Sequence, residues 1–318
     1  MIAWRFRANA KRERAETFMR SPIRWTIGAA IFLTAACASY WIITSAQQPQ
    51  PVTIDSAKHP KLVVLFVFDQ MRGDYPKKWQ PLFGEGRFKR LQSEGARYTN
   101  CHYPYAYTVT AAGHTSLVTG APPQKHGIIG NDWYDRSINE FVTCTTPPPE
   151  EKRNGGGPYR RKTESVGDVL MRILTGKSRV ASFSIKERTA ILMAALRAQI
   201  AYWFNSANGN FQTSAYYRPD SPHSWVTKFN KTKAADQWLG KTWDRFNPQL
   251  DYVKHSGPDD YFIEGTGYLQ GKTFPHLFQY NEKAKDPKER IQNYYDAVTC
   301  SPMGNDLLLA LAKEAIEK

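Results

Sequence analysis

Residues 105–135 read YAYTVTAAGHTSLVTGAPPQKHGIIGNDWYD, and the rest of the chain is organised around them. Thr110 opens a short helical pattern in which Ala111, Ala112 and Gly113 are followed by His114, with Leu117 and Val118 on the apolar side. Gly120 stands where a helix-ending glycine belongs, and Pro122 and Pro123 prevent continuation. A threonine before small residues at a helix start leaves backbone N–H groups unpaired and directed outward, an arrangement that attracts anions and above all phosphate. Thr110 has a second reading as a plain N-cap. The stretch alone leaves both open.

Upstream, Lys61 to Phe68 (KLVVLFVF) is a continuous apolar, β-branched run, the pattern of a buried parallel strand. It runs into Asp69. In open α/β sheets ligands gather at the carboxyl ends of strands, so Asp69 is a candidate metal or phosphate residue, against the alternative of a turn aspartate. Residues 87–94 have the spacing of an amphipathic helix ended by Gly95, and 97–102 read as a second strand. Asn131, between Gly130 and Asp132, reads most simply as a turn residue.

Downstream, residues 145–164 form a Pro/Gly/charge tract with no core-forming pattern, expected to be a mobile loop. Residues 165–174 have helical spacing, and 179–185 form another strand that continues into Lys186-Glu187-Arg188. In extended chain Lys186 and Arg188 would project to one side as a cationic pair, with a solvated pair as the alternative. Residues 201–217 are short and aromatic, polar helices follow around 222–247, 248–290 is loop-rich, and 305–318 is a closing amphipathic helix.

The chain of 318 residues carries net charge +14, with seven Lys/Arg against two Glu in residues 1–24. A basic body is compatible with anionic partners, but no basic helix or aromatic RNA-binding pattern singles out nucleic acid, and none is expected as a partner. Residues 25–46 hold no charged side chain. Twenty-two residues at ~1.5 Å each can cross a ~30 Å hydrocarbon core. Residues 1–46 therefore read as a cleaved signal peptide or an uncleaved anchor spanning 25–46, followed by a linker over 47–60. Either reading exports the body to the periplasm or beyond, and the membrane is a partner only through this segment. Cys101, Cys144 and Cys300 remain beyond the leader, so one disulfide with a free thiol is possible and the pair is open.

Taken together, VFDQMRGDY (67–75), YTVTAAGHTSLVTGAPPQKHGIIGNDWYD (107–135), SVGDVL (165–170), SIKERTAIL (184–192), AYWF (201–204), TSAYY (213–217), FPH (274–276) and SPMGNDLLLALAKEAI (301–316) resemble the alkaline phosphatase superfamily. The similarity is to its nucleotide pyrophosphatase/phosphodiesterase branch, and within it to exported bacterial phosphatases with a threonine nucleophile. The resemblance implies an α/β fold with a mostly parallel central sheet flanked by helices. It covers 61–318 as the N-terminal portion of the domain, with cap or insert segments about 145–164 and 205–295. It further implies that Thr110 is the nucleophile and a zinc contact and that Asp69 ligates zinc. Asn131, Lys186 and Arg188 would bind phosphate oxygens, and two zinc ions would be the cofactors. The substrate would be a phosphorylated small molecule, a monoester by virtue of the Lys186–Arg188 pair. Glu187 replaces the family's usual Asp, and 193–199 departs from the family pattern. The family's remaining zinc ligands follow the segment matched by 301–316, so the fold is expected to be incomplete at its C-terminus and the chain weak in zinc binding and turnover. Asp251 and His255 copy the spacing of one ligand pair at the wrong place in the order. The alternatives are a phosphodiesterase or nucleotide pyrophosphatase, and a non-catalytic exported binding domain or gene remnant.

Overall fold

The computed structural model describes residues 60–174, 177–218 and 220–318. The leader and linker expectations for residues 1–59 therefore lie outside the described residues. Val64–Lys318 forms one compact unit.

Its centre is a three-stranded sheet. β3 (Ala181–Ser184) pairs in parallel with β4 (Ile200–Asn205), and β5 (Asn210–Gln212) pairs antiparallel with β4. Two antiparallel pairs lie apart from it: β1 (Asp132–Asp135) with β2 (Glu140–Thr143), and β6 (Thr242–Trp243) with β7 (His276–Leu277). Ten α-helices accompany them among the described residues, from α1 (Tyr75–Lys78) and α2 (Phe88–Glu94) through α3 (Thr110–Thr119), α4 (Pro123–His126) and α5 (Val166–Ile173). α6 (Glu187–Met193), α7 (Ser224–Lys231), α8 (Tyr252–Ser256), α9 (Pro287–Thr299) and α10 (Pro302–Glu317) complete the set.

β4 shows why the sheet sits in the middle. Side chains alternate across a strand, and here both faces are apolar. Tyr202 and Phe204 pack with Phe211, Tyr294, Val298, Leu307 and Leu311 from β5, α9 and α10. Ala201 and Trp203 pack on the opposite side with Ala190, Ile191 and Tyr217. A third cluster joins Ala111, Ile128, Cys144 and Leu192, with Trp133 at its edge, and fixes α3 against α6. The chain thus has the expected α/β character, with one parallel and one antiparallel pairing in its central sheet.

Four local expectations change. Residues 61–68 form no strand: the run is unpaired, with Leu65 60% and Phe66 63% exposed. Apolar continuity marks a segment fit for burial, but a strand also needs a neighbour's N–H and C=O groups, and none pairs with it among the described residues. Residues 97–102 likewise contain bends instead of a strand.

The tract 145–164 lacks helix and strand, yet it is anchored rather than loose. The Arg161 side chain is fully buried and its guanidinium donates to the Leu192 and Ala194 carbonyls at 3.0 and 2.7 Å and to Asp168 Oδ2 at 2.8 Å. Asp168 belongs to the capping box of α5 with Ser165 and also accepts from Leu196 N, which ties the tract to α5 and the end of α6. Finally, Cys101, Cys144 and Cys300 are all free thiols.

Asp168→Ala strips a buried guanidinium of its counter-charge, so urea unfolding is expected to show a loss of about 3–5 kcal/mol; a loss under about 1 kcal/mol would contradict the anchoring role. Burial raises the Cys144 thiol to about 11, and a buried, protonated thiol is inert. In native protein near neutral pH, iodoacetamide is expected to label the exposed Cys101 and Cys300 and to reach Cys144 only after denaturation.

Candidate active site

The site is built on the first turn of α3. Its N-cap is Val109, in extended conformation and without a side-chain cap, so Thr110 is the first helical residue and not the cap. Its hydroxyl points elsewhere: Oγ1 donates to Asp69 Oδ2 at 3.1 Å, across 41 residues of sequence. Ala111, Ala112 and Gly113 are all buried, and their small size lets α6 and the Ile128 segment close on the helix. Gly120, at φ +65°, ends the helix in the left-handed conformation that glycine tolerates best.

A buried helix start must place its N–H groups. Ala111 N donates to Asn131 Oδ1 at 3.0 Å, and Gly113 N bonds back to Val109 O. Thr110 N and Ala112 N take no protein acceptor among the described residues. Asn131 is therefore more than a turn residue. Its side-chain oxygen is committed to α3, and its amide nitrogen has no acceptor among the described residues. Its own carbonyl accepts from Cys144 N at 2.9 Å at the start of the β1–β2 pair.

The carbonyls of α3 are also occupied. His114 Nδ1 meets Thr110 O at 2.7 Å, Tyr105 Oη donates to Ala112 O at 3.2 Å, and Tyr103 Oη donates to Gly113 O at 3.2 Å. Burial raises the Tyr103 phenol, with nearby Tyr105, Cys101 and Asp69 adding to the effect, so Tyr103 stays a neutral donor beside Asp69. Neither tyrosine carries a recognisable signal in sequence.

Lys186 and Arg188 are placed differently from the extended-chain expectation. Lys186 is the N-cap of α6 and the chain turns helical at Glu187. Residues two apart on a helix do not share a face. Lys186 borders a polar recess of about 270 Å3 with Glu187, Asn205, Gln212 and Gln292. Arg188 lies close enough to Cys144 to counter the burial of its thiol, which puts it beside the cluster that buries Ala111. Neither side chain forms an ion pair or hydrogen bond among the described residues, and α6 packs along α3. The structure thus joins Asp69, Thr110 and Asn131 through the α3 start and sets the two cations on the neighbouring helix, with no hydrogen bond to those three. Burial raises the Glu187 carboxyl, opposed by Arg188.

A zinc ion wants about four ligands. Asp69 and Thr110 present one carboxylate and one hydroxyl within hydrogen-bonding distance, which suits one side of such a shell. Among the described residues no group of three or more His, Cys, Asp or Glu side chains converges. Asp251 is no exception, since its carboxylate accepts from Lys254 N at 3.1 Å and caps α8.

The family model for type I phosphodiesterase / nucleotide pyrophosphatase matches residues 63–273. Over 270 residues the chain is 35% identical to alkaline phosphatase PafA of Elizabethkingia meningoseptica, covering 83% of this chain and 48% of PafA. It is 34% identical over 263 residues to alkaline phosphatase PhoV of Synechococcus elongatus, covering 81% of this chain and 46% of PhoV. The crystal structure of wild-type PafA superposes with a TM-score of 0.68 at 34% identity, covering 78% of this chain and 48% of that one. A PafA variant with a threonine, an asparagine, a lysine and an arginine replaced superposes at 0.67, with 33% identity and 79% and 48% coverage. The chain spans about half the length of the curated relatives it matches. On the strength of the family match, the chain belongs to the type I phosphodiesterase/nucleotide pyrophosphatase family, the branch of the alkaline phosphatase superfamily that includes PafA-like phosphatases.

Proposed function

We propose that this protein hydrolyses phosphate monoesters through a phospho-threonine at Thr110. The observation that carries the reading is the Thr110–Asp69 hydrogen bond at the mouth of a buried helix start with two open N–H groups. A threonine hydroxyl is a poor nucleophile until its proton is drawn away, and the Asp69 carboxylate is the group that receives that hydrogen bond. Oγ1 attacks phosphorus, a P–O bond forms to Thr110 and the bond to the leaving alcohol breaks. Water then attacks the phospho-threonine, releasing inorganic phosphate and restoring the hydroxyl.

Throughout, the substrate's nonbridging oxygens face donors that need no reorganisation: the open N–H groups of α3 and the Asn131 amide nitrogen. Lys186 and Arg188 supply the positive charge that a monoester dianion requires. Zinc, when bound, would lower the proton affinity of the threonine oxygen, and Asp69 and Thr110 are the residues of this chain that would hold it. A PafA variant altered at a threonine, an asparagine, a lysine and an arginine, the same four residue types, lends weight to the assignment. With residues 1–46 as a signal peptide or anchor, the substrate is a small phosphorylated molecule met in the periplasm or outside the cell.

A second reading, hydrolysis of phosphodiesters, is favoured by the description of the matching family. The two are separated by charge, since a diester carries one negative charge fewer on phosphorus. Thr110→Ala is expected to abolish turnover of an aryl phosphate by at least about a thousandfold with an unchanged melting temperature, and Thr110→Ser to retain much of it. Lys186→Ala and Arg188→Ala are expected to slow aryl monoester hydrolysis by about 10²–10³ each and diester hydrolysis by far less. Equal losses on both substrates would favour the diester reading, and wild-type rates in Thr110→Ala would remove both.

A further inference from the structure

His126 is completely buried, within the stretch that leads from α3 to Asn131. Its ring makes two contacts of defined direction. Ile128 N donates to Nδ1 at 3.1 Å, so Nδ1 carries no proton. The neutral ring then carries its proton on Nε2, which donates to Ser116 Oγ at 3.0 Å. Ser116, two turns into α3, is also hydrogen-bonded to Tyr105 Oη at 2.7 Å. The backbone of His126 is held as well, because Lys162 N donates to its carbonyl at 2.9 Å. Gly127 follows at φ +81°, where an added Cβ would press on Arg160 O at 3.0 Å. Burial lowers the imidazole below its ordinary value and the nearby Arg161 guanidinium adds to this, so the ring stays neutral at physiological pH.

These bonds form a brace. One ring nitrogen grips α3 and the other fixes the backbone of Ile128. Ile128 packs fully buried against Ala111, whose N–H donates to Asn131 Oδ1. The buried ring therefore spans the loop between α3 and Asn131 at its middle. We propose that His126 is the positioning residue that holds Asn131 against the first turn of α3. Its consequence for catalysis rests on the phosphate-binding reading of Asn131 given above; the brace itself does not.

The bland alternative is a core histidine that stabilises the fold and nothing more. Substitutions separate them. His126→Leu removes both ring bonds. His126→Asn keeps a side-chain acceptor for the N–H two residues on, a geometry asparagine favours, and loses only Ser116. In the full chain, His126→Leu is expected to lower kcat/KM for an aryl phosphate by about tenfold, to cost almost nothing further in an Asn131→Ala background, and to be largely rescued in His126→Asn. The Asn131 side-chain amide resonances, assigned by their loss in Asn131→Ala, are expected to shift in His126→Leu and to return in His126→Asn. Equal kinetic losses in both backgrounds, or unmoved Asn131 resonances in a folded His126→Leu protein, would overturn the brace. If no form hydrolyses phosphate esters, the catalytic reading fails while the Asn131 resonances still decide the brace. Should His126→Leu not fold, His126→Gln, which reaches Ser116 but leaves Ile128 N without its acceptor, is read in the same way.

Discussion

The start of α3 is a polar problem solved in a buried place. Its first turn is made of Ala111, Ala112 and Gly113, none of which reaches solvent, and the N-cap Val109 offers no side-chain acceptor. Unpaired N–H groups in such a position are costly. One is satisfied from outside the helix by Asn131, and Thr110 N and Ala112 N remain open. The remaining features follow from that constraint. Small side chains are needed so that α6 and Ile128 can close over the turn, and the Thr110 hydroxyl is free to reach Asp69 because it is not used as a cap. A helix start kept in this state is preorganised for an anion, and the cations on α6 lie on the helix packed against it.

How much of this was legible follows from the kind of signal each part carries. The span of α3, its Gly120 terminus and the helix within 165–174 follow from local rules of helical spacing and termination. The pairing of residues 61–68 does not, since a strand is a relation between two segments and apolar content describes only one. Asn131 was legible as a turn and not as the external cap of α3, because its 20-residue separation from Ala111 leaves no local trace. The same holds for Arg161. Composition marks its tract as loop, while the burial of its guanidinium against Asp168 is settled only by tertiary packing. The Lys186–Arg188 geometry turned on where β3 gives way to α6, and element boundaries depend on packing more than on propensity.

The family resemblance supplies what local rules lack, by aligning Asp69, Thr110, Asn131, Lys186 and Arg188 as one constellation. The structure brings the first three together and sets the last two on the helix packed against α3. The chain spans about half the length of the curated relatives it matches. What the described residues bring together is the Thr110 hydroxyl, the Asp69 carboxylate it bonds and the N–H groups of the α3 start.

The central claim is that the oxygen of Thr110 becomes bonded to phosphorus during turnover. The most direct measurement is acid quenching of the protein during reaction with an aryl phosphate, followed by peptide mass spectrometry of the region around α3. The account predicts a phosphoryl group on Thr110, absent from Thr110→Ala. Sustained hydrolysis with no phosphoryl group on that peptide, or with the label on another residue, would contradict it.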